Sequence, residues 1–341
     1  QVLASPMQAN VEVLVESVRP GGRFRAQMVL SNTSSEEVDC EWCTIQFVGT
    51  VSVHPSHVAL SSGSNSMHLF QSEPETIFES RKIAPGSVAA FHISASFPTG
   101  IWPTHRGVAM RTEYFLIATT QLVGHPRAIV RTPVVVSNGV TPPETHHIVT
   151  NLEQAWNFDI AVQERDLGSE ALIRGPLATQ LELEEDDSDD IPEGRPAAYN
   201  IRTGDARVVV VALQRTHFRL GEPLIGTLDL SVVDVPCQSV THSLIEEETV
   251  LEGYVPAGYS GEVPKTVRRT RSEGQQATYN TVHSDFILDI PHDASPAFNT
   301  PVVSVRWILK LDLTIIHQDE GRQETLAWET PITVHGSRRT R

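Results

Sequence analysis

The two halves of this chain repeat one plan of β-strands. Residues 11–30 align without a gap with residues 211–230, and each block reads as two strands joined at a glycine, Gly21 or Gly221. Three more pairs of blocks follow in the same order: 91–98 with 286–291, 108–117 with 303–311, and 132–136 with 330–334. Four blocks in one order predict two domains of the same architecture, an arrangement that excludes most enzyme folds.

Apolar residues alternate with polar ones along these blocks, as expected for strands that bury one face. The first half contains two such sets: Val11, Val13 and Val15, then Ile45, Phe47, Val51 and Val53. Gly49 interrupts the second set and predicts a bulge or a close approach of the backbone. Trp307 belongs to a matching set in the second half and is expected in the core. Many short strands with Gly and Pro turns, and no regular exchange of strand and helix, predict an all-β chain of two tandem β-sandwiches.

Changes in composition divide the chain into four segments. They are a first sandwich over 1–137, a linker over 138–198, a second sandwich over 199–336 and a basic tail over 337–341. Within the linker, Trp156 would lie on the apolar face of a short helix over about 151–165. Trp156 and Phe158 are candidates for a partner contact, or for packing of that helix against one sandwich. The acidic run 182–190 cannot bury enough apolar surface to order itself. The short helix and this run together predict a long, acidic and partly helical linker.

Charge excludes one class of partner. The 42 acidic and 26 basic residues give a net charge of −16, which argues against a general electrostatic grip on nucleic acid. Against this background, a Gly-, Pro- and Ser-rich stretch over 252–276 carries four basic residues: Lys265, Arg268, Arg269 and Arg271. Such a patch suits an anionic membrane or an acidic partner, or else it is a disordered loop kept soluble by its charge. The nearby run Glu246-Glu247-Glu248 is expected at a solvated strand end.

Motifs for common enzyme chemistry are missing from the sequence. It has no G-x-x-x-x-G-K-[ST] loop, no strand-linked G-x-G-x-x-G, no G-x-S-x-G and no H-E-x-x-H. The chain is therefore not expected to be a P-loop GTPase, a dinucleotide enzyme or a hydrolase of these types. No cofactor is predicted.

One constellation has the composition of a metal site. Cys40-x-x-Cys43 is followed by His54-x-x-His57, and four such ligands can hold zinc. The His spacing is shorter than usual, however, and 44–53 reads as a strand rather than as a finger helix. A zinc-dependent hydrolase would rest on these four candidates alone, and the sequence favours a protein without a metal. Three cysteines in 341 residues do not form a disulfide framework and favour a reducing, cytosolic compartment.

The second half carries a resemblance to a known family. Residues 218–228, FRLGEPLIGTL, resemble the strand–turn–strand segment of arrestin-like proteins. Within that group, the chain is most similar to Rgp-type retrograde Golgi transport proteins, the small subunits of Ric–Rgp complexes. The residues that carry this match are 199–201, 218–228, 301–307 and 328–334, with a looser match at 11–15, Trp42, 58–60, 85–87 and 106–107. The resemblance covers both predicted sandwiches but neither the acidic linker nor the basic stretch.

The resemblance implies two arrestin-like, immunoglobulin-type sandwiches and a regulatory subunit without covalent chemistry of its own. It implies a cytoplasmic protein at the periphery of the Golgi membrane that forms an obligate heterodimer with a large Ric-type subunit. Together they would bind a Rab GTPase of the Rab-six type, preferably nucleotide-free, and promote its nucleotide exchange in retrograde traffic. An arrestin-related cargo adaptor and a retromer-like coat subunit are the alternatives. Such adaptors usually carry Pro-Pro-x-Tyr, whereas 141–145 reads Thr-Pro-Pro-Glu-Thr, without the tyrosine.

Overall fold

The chain is almost entirely β-structure. The computed structural model describes residues 9–15, 18, 21–60, 63–96, 100–137, 161–166, 194–257, 265–317 and 322–336. Over these ranges the backbone forms strands, turns and one short 3₁₀ segment at Glu252–Tyr254, and no α-helix. In the same ranges, no helix has the length and apolar character that crossing a bilayer requires. The predicted all-β class is confirmed.

The first half of the chain folds into two sheets. Its strands are β1 (Ala9–Val15), β2 (Arg23–Asn32), β3 (Val38–Val53), β4 (Ser66–Gln71), β5 (Glu75–Ile83), β6 (Val88–Ser96), β7 (His105–Arg106), β8 (Met110–Leu122), β9 (Ala128–Val134) and β10 (Ala161–Asp166). One sheet has the order β1-β2-β6-β10, and the other has the order β4-β3-β8-β7. In the second sheet, β5 also pairs with β3 and β9 with β8.

The second half folds into two further sheets. Its strands are β11 (Ala197–Thr203), β12 (Ala206–Leu213), β13 (His217–Arg219), β14 (Pro223–Asp229), β15 (Cys237–Val250), β16 (Thr266–Ala277), β17 (His283–Asp289), β18 (Phe298–Asn299), β19 (Val303–His317) and β20 (Arg322–His335). One sheet has the order β11-β12-β14-β17. The other has the order β13-β20-β19-β15-β16, with β18 paired to β19.

The strand pairing confirms the internal repeat. In the first copy, β1 before the turn glycine pairs with β2 after it, and β2 also pairs with β6 of the second block. In the second copy, β12 pairs with β14 in the same way, and β14 also pairs with β17. The two turn glycines share a left-handed backbone, with φ of 76° at Gly21 and 84° at Gly221. Such values favour glycine because a Cβ atom would be strained there. Just before each glycine, a parallel contact ties the chain to a later segment of its half: Val18 to Val136, two residues after β9, and Phe218 to Val334 in β20.

A hydrophobic core fills the space between the two sheets of each half. In the first half, Phe24 of β2 contacts Phe47 of β3 edge to face, with ring centroids 5.8 Å apart. The prediction for Gly49 is also confirmed, because the β3–β4 register shifts between Gly49 and Thr50. A side chain at Gly49 would collide with the ring of Tyr114, so the backbone approach there requires glycine. Alternating strands therefore place the cores where the period-two pattern predicts them.

Two long strands of the second half connect the two cores. Along β19, Leu309 and Leu311 belong to the core of the second sandwich, whereas Val303 and Val305 belong to the core of the first. Trp307 lies between these two pairs and is completely buried, as predicted. Because β15 runs antiparallel beside β19, it makes the same crossing. The junction of the sandwiches is thus built around the ends of β15 and β19.

The helix predicted over 151–165 is wrong for residues 161–165, the part of that range that the structure describes. Residues 161–165 belong to β10, which pairs antiparallel with β6 and adds a strand to the first sandwich. Backbone pairing with an available sheet edge outweighs a weak helical pattern, because local propensity contributes less than tertiary contacts. Residues 151–160, the acidic run 182–190 and the tail 337–341 lie outside the described residues.

Candidate functional site

Three consecutive glutamates form the polar centre of the junction. Glu246, Glu247 and Glu248 are all buried in β15, between β16 and β19. The prediction of a solvated strand end is therefore wrong. A buried carboxylate is tolerated only when charges and hydrogen bonds compensate its lost hydration. Since successive side chains of a strand point to opposite faces, the three residues find different partners.

Glu247 lies under two arginines on the outer face of the sheet. The Arg268 Nε donates to Glu247 Oε2 at 2.7 Å, and the Arg306 Nε contacts the other carboxylate oxygen. Arg268 also reaches Glu329, with Nη1 and Nη2 donating to its two oxygens at 2.8 and 3.1 Å. The carboxylates of Glu329 and Glu247 raise the pKa of Arg268. This cluster has equal numbers of positive and negative groups, so little charge remains for an outside ligand.

Glu246 differs from its neighbours because only one of its two carboxylate oxygens accepts a hydrogen bond within the described residues. Its Oε2 accepts a hydrogen bond from Arg271 Nε at 2.6 Å, whereas its buried Oε1 has no hydrogen-bond partner in the described part of the chain. Glu246 lines a small recess of about 10 Å³, room for about one water molecule, which it shares with Gly107 and Arg269. Glu246 thus combines an unpaired carboxylate oxygen with a position in the wall of this recess.

Glu248 joins the two sandwiches. Its Oε2 accepts the backbone N–H groups of Val108 and Ala109 at 2.7 and 3.1 Å, and its Oε1 accepts that of Met110 at 3.0 Å. The same Oε1 lies 3.1 Å from His105 Nε2. Burial favours a raised pKa for Glu248, but the hydrogen bond and charge of His105 and the backbone N–H groups outweigh it and lower the pKa. We call Glu248, His105 and residues 108–110 the junction clamp.

The clamp continues into the second sandwich through Ser295. The Ser295 hydroxyl lies 2.7 Å from His105 Nδ1, and the Ser295 carbonyl accepts the indole N–H of Trp307 at 3.0 Å. The side chains of Glu248, His105, Ser295 and Trp307 are thus linked to one another or to the backbone. The clamp therefore holds the two sandwiches against each other.

The four predicted basic residues lie on or beside β16. The interpretation of 252–276 as a loop is wrong over 266–276, because this segment pairs with β15 as the edge strand of its sheet. Arg268 and Arg271 form the ion pairs with Glu247 and Glu246 described above, and Lys265 lies 3.8 Å from the exposed Glu252. Arg269 forms no salt bridge with any described residue. Arg269 and Lys265 are thus the least engaged of the four basic residues, and their contact with a partner or membrane stays a prediction. Trp156 and Phe158 lie outside the described residues.

The Cys and His candidates for zinc are not brought together. Cys40 and Cys43 lie near the start of β3, whereas His54 and His57 follow its end. The extended strand between Cys43 and His54 spans about 36 Å, which is too long for shared ligation. Burial raises the pKa of the Cys43 thiol to about 11, which favours the protonated form that does not bind metal. Within the described ranges, no group of three or more His, Cys, Asp or Glu side chains has an arrangement suited to a metal.

Comparisons with known proteins place the chain in a family context. The family model Rgp1 matches residues 170–316. A human protein named RAB6A-GEF complex partner protein 2 is 26% identical over 300 residues, which cover 80% of this chain and 73% of the human one. The bovine protein of that name is 25% identical over 258 residues, covering 73% of this chain and 62% of its own length. The chain is similar to Rgp1-type proteins. The matched family segment includes all of β15 and therefore Glu246, Glu247 and Glu248, whereas His105 and Gly107 precede it.

Sequence reasoning missed the partners of the three glutamates. His105 and Ser295 stand in no recognisable motif, and they are 190 residues apart in the chain although their side chains touch. Only Gly107 gave a signal, as part of the resemblance at 106–107. Three adjacent acidic residues directly after the apolar pair Leu244-Ile245 were the available clue that these charges are paired.

Proposed function

We propose that this protein is a non-catalytic subunit of a complex that promotes guanine-nucleotide exchange on a Rab GTPase. The observation that carries the proposal is the similarity, over most of the chain, to human and bovine proteins named RAB6A-GEF complex partner protein 2. Exchange needs no covalent chemistry, because a factor that binds the nucleotide-free GTPase more tightly than the loaded one shifts the equilibrium between them. A rigid body with a hydrogen-bonded junction suits a scaffold for such binding.

The finer assignment follows from the family resemblance. The chain would pair with a large Ric-type subunit as an obligate heterodimer, and the pair would act on a GTPase of the Rab-six type. The place of action would be the cytoplasmic face of the Golgi membrane, in retrograde traffic. Within the pair, this chain would serve as scaffold and as part of the surface that binds the GTPase, in an arrestin-like arrangement of its two sandwiches.

Reconstitution of exchange tests the proposal. Release of a fluorescent guanine nucleotide from a Rab-six-type GTPase would be followed with this chain alone, with the Ric-type subunit alone and with both. We expect fast release only with both, and capture of the GTPase by the pair only after EDTA has stripped the nucleotide. Equal rates with and without this chain would contradict the proposal. Capture of cargo receptors and no GTPase would instead support the adaptor alternative.

A test of the basic residues near β16 requires variants that leave the ion pairs of the junction intact. Reversing Arg268 would remove one of the two arginines that contact the buried Glu247, and reversing Arg271 would remove the arginine that contacts the buried Glu246. Lost binding could then reflect a damaged fold. Neutralising Lys265 and Arg269 together avoids this difficulty, because a reversed Arg269 would place another carboxylate in the recess beside Glu246. We expect Lys265→Gln with Arg269→Gln to weaken binding to anionic vesicles or to the Ric-type subunit. Unchanged affinity for both would remove these residues from the contact surface.

A further inference from the structure

The two most exposed large apolar side chains of the described residues lie close together at one end of the second sandwich. Val232 is 65% exposed and Tyr279 is 62% exposed, and Val282 nearby is 54% exposed. They belong to the β14–β15 and β16–β17 connections, which are joined by a hydrogen bond from the Leu230 N–H to the Val282 carbonyl at 2.8 Å. We call Val232, Tyr279 and Val282 the distal patch.

The distal patch is remote from the junction clamp. Strand β15 begins at Cys237, beside the patch, and ends at Val250 in the core of the first sandwich. A strand of this length spans about 45 Å. Substitutions at one end are therefore not expected to disturb the other.

The connections that carry the patch are held in place by hydrogen bonds. The Thr278 hydroxyl donates to the Cys237 carbonyl at 2.9 Å, and the Thr281 N–H closes a turn on the Thr278 carbonyl at 3.0 Å. In the neighbouring connection, the Arg207 N–H donates to the Asp234 carboxylate at 2.8 Å. A surface ordered before binding loses less conformational entropy when a partner docks.

Acidic residues surround the patch. The charged residues described at this end include five acidic and three basic ones, with one histidine: Asp205, Asp229, Asp234, Asp285, Glu324, Arg202, Arg207, Arg322 and His283, which lies 3.4 Å from Asp229. Hydrogen bonds from Ser231 lower the pKa of Asp229, which keeps its carboxylate ionised. An acidic rim disfavours an anionic membrane and favours a partner whose contact surface is basic at its edge.

We propose that the distal patch docks the large subunit of the exchange complex, through a surface with an apolar centre and a basic rim. The inference rests on the proposed function, because the relatives are named as complex partners and such a partner needs a surface on this chain. A preordered tyrosine flanked by valines, with charges at the edge, has the composition of an interface centre. Lone exposed apolar residues need no partner, whereas here three such residues are carried by two adjoining, ordered connections.

A pair of matched double variants tests the proposal. Val232→Ser with Tyr279→Ser removes the patch, and Val123→Ser with Ile129→Ser removes two side chains of the first sandwich that are 53% and 57% exposed. The dissociation constant for the purified Ric-type subunit would be measured with the full chain at low and at moderate salt. We expect at least tenfold weaker binding for the patch variant and less than twofold change for the control. Binding of the unmodified chain should weaken as salt screens the acidic rim.

The outcomes separate this inference from the proposed function. Unchanged affinity of the patch variant overturns the inference, while the exchange complex stands because the unmodified chain still binds the subunit. Failure of the unmodified chain to bind the Ric-type subunit overturns the proposed function and this inference with it. A variant that keeps the subunit but loses the GTPase would show a different occupant and also overturn the inference. The urea midpoint of each variant, expected to match that of the unmodified chain, excludes loss of folding as the cause.

Discussion

Gly107 illustrates how a single residue permits the contact between the sandwiches. A Cβ atom at this position would overlap with the Glu248 carboxylate and with the His105 ring. Gly107→Ala should therefore destabilise the protein by about 1–3 kcal/mol, because the clamp must shift to make room. The free energy of unfolding in urea measures this change.

The matched control is Gly100→Ala, since a Cβ at Gly100 would meet nothing within 4 Å. That variant should stay within about 0.5 kcal/mol of the unmodified protein. Equal effects of the two substitutions would show that the clamp does not require the space at Gly107.

His335 gives the stability of the protein a pH dependence. It is buried at the end of β20, 3.2 Å from His217 Nδ1 through its Nε2. Burial, together with the charges of His217 and Arg219, lowers the pKa of His335 to about 4. An unfolded chain binds this proton near pH 6.5, so between those values the unfolded state holds more protons and stability falls as the pH falls.

Replacing His335 should flatten that dependence. We expect the urea midpoint of the unmodified protein to fall between pH 6.5 and pH 4.5, and that of His335→Gln to fall less. His68→Gln, at an exposed position, is the control and should keep the original slope. Identical slopes for all three proteins would mean that His335 is not held neutral by its surroundings.

At the scale of elements, β19 serves two cores at once. Trp307 lies where the strand passes from one core to the other, and its indole N–H donates to the Ser295 carbonyl at 3.0 Å. Trp307→Ala should lower the free energy of unfolding by about 3–5 kcal/mol, because a large buried ring leaves a cavity. Denaturant unfolding measures this loss.

Trp307→Phe separates volume from the hydrogen bond. It keeps most of the ring but leaves the Ser295 carbonyl without its donor, so its loss should be smaller than that of the alanine variant. A well-tolerated alanine variant would mean that β19 is not the shared core strand described above.

The same scale explains which elements were predictable. Period-two alternation identified β3, β17 and β19, because a strand that buries one face carries its own pattern. This pattern did not predict β10, because that strand forms by pairing with β6, which is distant in sequence. It failed also for β16, whose polar, Gly-containing sequence resembles a loop until β15 supplies its hydrogen bonds.

At the scale of the whole molecule, Glu248 holds the two halves together. Glu248→Ala would remove the acceptor of three backbone N–H groups, those of Val108 and of the buried residues Ala109 and Met110. We expect a loss of about 3–5 kcal/mol in the free energy of unfolding, as for other broken buried charge networks. Urea unfolding of the full chain measures the loss, and separate transitions for the two sandwiches would show that they have come apart.

Glu252→Ala provides the comparison, because the Glu252 side chain is exposed and its one ion pair within the described ranges is a long contact with Lys265, at 3.8 Å. Exposed ion pairs contribute little, so this variant should change stability by less than about 0.5 kcal/mol. A Glu248 variant as stable as this control would contradict the role of the clamp.

The amino-acid sequence by itself determined the repeated β-plan, the turn glycines Gly21 and Gly221, the constraint at Gly49 and the burial of Trp307. These features follow from local rules: side-chain alternation, backbone conformation and the hydrophobicity of a single residue. Only the tertiary structure determined which charged side chains are buried and paired. Glu248 and His105 are 143 residues apart in the chain, yet each is buried because the other is there. Whether a charge is solvated or paired depends on groups that folding brings to it, and no local pattern records them.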